Sequence, residues 1–110
     1  MIGGVIVTGA NPATVLLRAI GPSMTDVPGA LQDPVLELHD QEGALIVMND
    51  DWQDDPEQAA LISAAGLAPT NQLESGIAAT LAPGQYTVLL AGLDGDIGVG
   101  LVEVYDLAAQ

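Results

Sequence analysis

The chain has 110 residues, 49% of them hydrophobic, and sets fifteen acidic side chains against one basic, Arg18, for a formal charge of -14 at pH 7. Such a length supports one hydrophobic core, so residues 1–110 read as a single domain. The charge repels phosphate backbones and anionic lipid, which excludes nucleic-acid partners and membrane surfaces.

The absence of cysteine removes disulfides and thiolate metal sites, and no apolar run approaches the ~18 residues that membrane insertion requires. Without phenylalanine, the interior has to be built from Val, Leu, Ile and Ala, a composition suited to thin, closely packed strands.

Residues 2–8 and 14–20 read as strands around the turn Gly9-Ala10-Asn11-Pro12 and predict a first hairpin. The period of two puts Val15, Leu17 and Ala19 on one face and Thr14, Leu16, Arg18 and Ile20 on the other. Both faces are largely apolar, which a sheet solvated on one side would not tolerate. A Pro- and Gly-rich crossing loop over 21–34 follows.

Pro34 opens a strand in which Leu36 and Leu38 alternate with Glu37 and His39. The turn Asp40–Gly43 reverses the chain into the apolar run Ala44–Met48, which delivers Asn49, Asp50, Asp51, Trp52, Asp54 and Asp55 to one end of a sheet. Asp55, Pro56 and Gln58 have the spacing of an N-cap, a first helical proline and a capping partner, with Gly66 as the stop. The helix over 56–65 is expected to turn Leu61 and Ile62 toward the sheets from across an open end.

Residues 73–81 and 85–92 predict another hairpin around Ala82-Pro83-Gly84. Asp94-Gly95-Asp96 then turns the chain into a strand over 98–107, with Val102 and Val104 on one side and Leu101, Glu103 and Tyr105 on the other. The sum is an all-β protein, a jelly-roll-like antiparallel β-sandwich of about seven or eight strands with one short helix.

The run Asp33-Pro34-Val35-Leu36-Glu37-Leu38, then Gly43, Asn49-Asp50-Asp51, Leu81-Ala82-Pro83-Gly84-Gln85-Tyr86-Thr87-Val88 and Gly98, resembles the bacterial pre-peptidase C-terminal type of secreted β-sandwich. Arg18-Ala19-Ile20-Gly21-Pro22-Ser23 followed by Asn49-Asp50-Asp51-Trp52 extends the likeness to a repeat module of large exported bacterial proteins. The resemblance implies a non-catalytic extracellular or cell-surface module, with some relatives binding calcium or polymer surfaces. In such modules further strand sequence precedes the segment matching Gly4–Thr8, so the edge beside the first strand is expected to be unpaired.

For the acidic loop two readings stand side by side. Asp50, Asp51 and Asp54 offer hard oxygen ligands for calcium, with Asp94 and Asp96 as second-loop contributors. Alternatively Asn49 and Asp50 accept backbone N–H bonds, Asp55 caps the helix and the remainder are solvated. Trp52 is either a stacking platform for a sugar ring or a plug for the core. Arg18, in an apolar strand, predicts a structural ion pair with Glu103, Asp106 or Glu37.

His39 with Ser23 or Ser75 makes no convincing triad: no Gly-x-Ser-x-Gly elbow is present and His39 faces outward. The functional expectation is therefore a structural or adhesive module, not an enzyme, that associates with copies of itself as a fibre or repeat array. Val5, Val7, Leu16, Leu101 and Tyr105 are its expected contacts, since no lysine protects any sheet edge. The alternative is a calcium-assisted accessory domain binding extracellular polysaccharide or another polymer.

Overall fold

A computed structural model describes residues 2–95 and 97–107. Seven strands form two antiparallel sheets: β1 (Ile2–Val7), β2 (Ala13–Ile20), β3 (Pro34–His39), β4 (Leu45–Asn49), β5 (Ser75–Leu81), β6 (Gly84–Gly92) and β7 (Leu101–Asp106). One helix, α1 (Pro56–Ala64), lies between β4 and β5 in sequence. The strand order is β1-β6-β3-β4 in the larger sheet and β5-β2-β7 in the smaller.

The sandwich core is filled from alternate positions. Leu17, Leu36, Leu38 and Ile77 are fully buried there, with Val5, Val7, Val15, Ala19, Val88 and Leu90 around them. Register explains the match across the larger sheet: Leu36 stands opposite Leu90 and Leu38 opposite Val88, so successive strands turn the same parity inward.

The second apolar face of β2 has its own cover. Leu16, at 0% exposure, packs with Trp52 and Ile62 into a separate cluster roofed by α1, whose rim includes Ala59, Ala65, Ala78 and Tyr105. The helix therefore lies on the outer face of the smaller sheet and not across an open end. It sits close: a Cβ on Gly76 would stand 2.8 Å from Ile62 Cδ1 and 3.4 Å from Trp52 Cβ. Ile62 is buried while Leu61 stays 54% exposed, so only one of the two expected side chains turns inward.

Helix α1 starts at the predicted cap and proline, but the Gln58 side chain does not reach back to the cap and bonds the Ala78 N–H and carbonyl instead. Asp55 is the N-cap and its carboxylate accepts from the backbone N–H groups of Glu57 and Gln58, with Pro56 in the first turn. Gly66, at φ 75°, takes the left-handed conformation that ends it.

Two predicted hairpins are corner crossings instead. β1 pairs with β6 and β2 with β5 and β7, so the Gly9–Pro12 turn carries the chain between sheets. Ala82 and Pro83 likewise pass from β5 in one sheet to β6 in the other. Tyr86 braces that corner by donating its hydroxyl to the Ala82 carbonyl at 2.5 Å. Turn residues specify that a chain reverses, and the partner it reverses onto is a long-range choice. Among the described residues only β3–β4 is a true hairpin, closed by Asp40, whose Oδ1 accepts from the N–H groups of Glu42 and Ala44.

Candidate functional site

The hairpin β3–β4 places the acidic residues by its register. With Leu36 opposite Asn49, the residues after β4 run back beside the start of β3, which brings Asp50 and Asp51 next to Asp33. One carboxylate oxygen of each of these three lies within 4.8 Å of the others. The Oδ1 atom of each is buried and has no hydrogen-bond partner.

The loop that presents them is rigidly tied. Asn49 accepts from the Gly76 N–H at 2.9 Å and donates to the Asp51 carbonyl at 2.9 Å, while the Trp52 N–H bonds the Glu74 carbonyl. Burial raises the Asp50 carboxyl to about 7, with the adjoining Asp33 carboxyl as the next cause and the charges of Asp51 and Asp54 adding to it. Asp51 is raised as well, first by burial and then by the charges of Asp33 and Asp54. Asp50 and Asp51 are both pushed above the ordinary carboxylate range by this partly dry, negatively charged place.

Of the expected metal ligands, Asp50 and Asp51 are thus brought together and Asp54 is not. Asp54 is exposed and takes its place one turn further on, its N–H bonded to the Asp51 carbonyl. The third member is Asp33, which the sequence reading left in the strand motif. Counting back from the turn would have found it, because an antiparallel hairpin with 36 opposite 49 sets 33 beside the 50–52 segment. Asp94 is exposed on a separate turn, at φ 54°, and Asp96 lies outside the described residues.

Trp52 is 8% exposed and packed beneath α1 with Leu16 and Ile62. That packing matches the plug of the two readings, now in the helix-side core, and the residue also borders a cleft with Gln53 and Pro69–Leu73. Arg18 pairs with Glu103, its Nε at 2.9 Å and a terminal nitrogen at 2.5 Å from the same oxygen. It also donates to the Leu67 carbonyl at 3.0 Å and lies over the Tyr105 ring. The only basic side chain is thereby committed to fastening β7 and the segment after α1 onto β2.

A second residue that sequence reasoning missed is Glu74. It is fully buried, and its Oε2 accepts from the N–H groups of Gly21 and Ser23 and from the Ser23 hydroxyl, at 2.9, 3.0 and 2.6 Å. This carboxylate pins the turn that ends β2. Nothing in Asn71-Gln72-Leu73-Glu74 distinguishes it from a solvated acid.

The expected contact residues divide. Val5, Val7 and Leu16 face the two cores and offer no surface; on β1 the exposed side chains are Ile2 and Ile6, at 75% and 69%. Interior parity, not hydrophobicity, separates them. Leu101 is exposed, and Tyr105 is half-buried beside Arg18. His39 is held by Glu37 at 2.8 Å and by the Gly43 carbonyl at 3.1 Å, a pairing that raises its pKa, first through the Glu37 hydrogen bond.

Among the described residues no helix is long and apolar enough to cross a membrane. Comparison with models of known families, with curated proteins and with solved structures finds no match to this chain.

Proposed function

We propose that this protein is a non-catalytic structural module that associates with copies of itself through a sheet edge. One observation carries the reading. β1 stands at the margin of the larger sheet, and its exposed side chains are isoleucines. An edge with unpaired backbone donors and acceptors and no protecting charge is a template for strand addition.

The polar groups that could suggest catalysis are engaged elsewhere. The Ser23 hydroxyl donates to Glu74, the Ser75 hydroxyl to the Pro34 carbonyl, and the His39 ring is occupied by Glu37 and Gly43. The test is light scattering of the purified chain, 11.2 kDa as a monomer, over a range of concentrations and salt. Association is expected to strengthen with salt, because screening relieves repulsion between copies of charge -14. A monomer under every condition sinks the proposal.

A second reading concerns Asp33, Asp50 and Asp51, as a place for calcium. It rests on the three buried Oδ1 atoms that no donor satisfies. Calcium takes oxygens at roughly 2.3–2.6 Å, so two ligands on opposite sides of the ion stand nearly 5 Å apart. A bound ion would stabilise the fold by mass action, raising the thermal midpoint at millimolar calcium in the parent and not in Asp33→Asn. An unchanged midpoint in the parent removes the ion.

A further inference from the structure

The strand at the margin of the larger sheet differs from the three other edges in having no device against pairing. β5 is sealed by side chains: the Gly76 N–H donates to Asn49, and Ala78 gives its N–H to Gln58 Oε1 at 2.8 Å while its carbonyl accepts from Gln58 Nε2 at 3.0 Å. β4 is short and bulged at Ile46, where pairing skips from Leu38–Val47 to His39–Leu45, and it runs directly into Asp50 and Asp51. β7 carries the exposed Asp106, while its Glu103 is taken up by Arg18. Bulges, charges and covering groups are how sheet edges are kept from one another.

Among the described residues β1 has none of these. It pairs with β6 in unbroken register from Ile2–Leu89 to Val7–Gly84, and neither strand contains a charged residue or a proline. No acidic residue precedes Asp26 in the chain. The larger sheet is consequently neutral at its β1–β6 side and acidic at its β3–β4 side.

Resting on the self-association reading above, we infer that the partner is a second copy of this chain and that the contact is β1 against an antiparallel β1 about a twofold axis. The product is a closed dimer with one continuous sheet in the order β4-β3-β6-β1-β1-β6-β3-β4. The Asp40–Glu42 turn reaches the end of β1, where Gln41 borders a cleft with Gly4, Val5 and Ile6, and the charge on β3 itself stands five strand intervals of ~4.8 Å, about 24 Å, from its counterpart. That is about three Debye lengths at physiological salt, so copies that repel as whole molecules can still meet at this edge. Pairing β4 to β4 would bring two acidic clusters together. Pairing β1 to β4 would have to accommodate the bulge and, being head-to-tail, would build a ring or an open filament and not a twofold dimer.

A chain without cysteine accepts a single spin label cleanly. Leu45 on β4 is 51% exposed and falls in the same cross-strand row as Gly4, Thr87 and His39, level with the middle of β1. In the Leu45→Cys protein the twofold pairing sets the two labels seven strand intervals apart, about 34 Å, while β1-to-β4 pairing sets them four intervals apart, about 19 Å. A dipolar distance near 34 Å in a particle of dimer mass is the expected result. A distance near 19 Å, a growing filament, or a dimer with any other separation overturns the β1–β1 pairing and leaves self-association standing. A strictly monomeric protein with no dipolar coupling overturns both.

Discussion

The smaller sheet is closed where the larger one is open. β2 is apolar on both faces, and the chain covers its outer face from within, using Trp52, Ile62, Ala59 and Ala65, while Gln58 and Asn49 seal the β5 edge. On the larger sheet Ile2, Ile6, Leu45, Ile46 and Met48 remain exposed and nothing among the described residues pairs beyond β1. One protein therefore contains a protected and an unprotected solution to the same problem. The difference teaches where a partner fits: two-sided hydrophobicity in a strand signals a cover, and only the tertiary structure tells whether the cover is internal.

The sharpest way to break this comparison is to remove the internal cover. Ile62→Ala deletes a fully buried side chain between α1 and β5, and an expected loss of about 2–5 kcal/mol should appear in urea unfolding. A loss below ~0.5 kcal/mol would mean that α1 is not an integral layer. Arg18→Leu leaves Glu103 partly buried and the Leu67 carbonyl without its donor, for an expected loss of about 1–3 kcal/mol by the same measurement. Full stability in that variant would show that β7 is held by its ladder alone.

Gln58→Ala tests the sealed edge. It leaves the Ala78 N–H and carbonyl without partners, for an expected cost of about 1–2 kcal/mol, and light scattering should find association through β5 added to that through β1. Unchanged stability and mass would make the Gln58 contact incidental.

Protonation gives a subtler test at the acidic end. A carboxyl raised in the folded state holds its proton where the unfolded chain has released it, so its site loses stability as pH rises from about 3.8 toward about 7. Asp50→Asn should flatten that part of the stability–pH curve and raise the thermal midpoint at pH 8. A curve of unchanged slope would place the burial elsewhere. The smallest effect on stability is expected from Ile6→Lys, at 69% exposure: within about 0.5 kcal/mol of the parent, yet with self-association lost. Retained association in a folded variant removes β1 as the contact.

How much of this was legible beforehand follows the range of the interactions. The Asp40–Gly43 turn, the Asp55 cap, Pro56 and Gly66 are local signals, and each sits where its spacing predicts. That Arg18 must be paired was readable, because a single cation in an apolar strand has to find a carboxylate or loop carbonyls; that the carboxylate is Glu103 and not Asp106 or Glu37 came from the β2–β7 register. Asp33 in the triad needed the hairpin register, and Glu74 needed knowledge that the start of β5 lies beneath the turn after β2.

By itself, then, the sequence determined the strands, the one helix, the class of fold and the charge that any partner must tolerate. These depend on side-chain period and turn chemistry, which act over a few residues. Which sheet each strand joins, which apolar face α1 covers and which edge is left open were decided only by tertiary packing. The acidic turn Asp40–Gly43 makes a hairpin and the proline-containing turns Gly9–Pro12 and Ala82–Pro83 make corners, and which strand each then pairs with is a long-range choice.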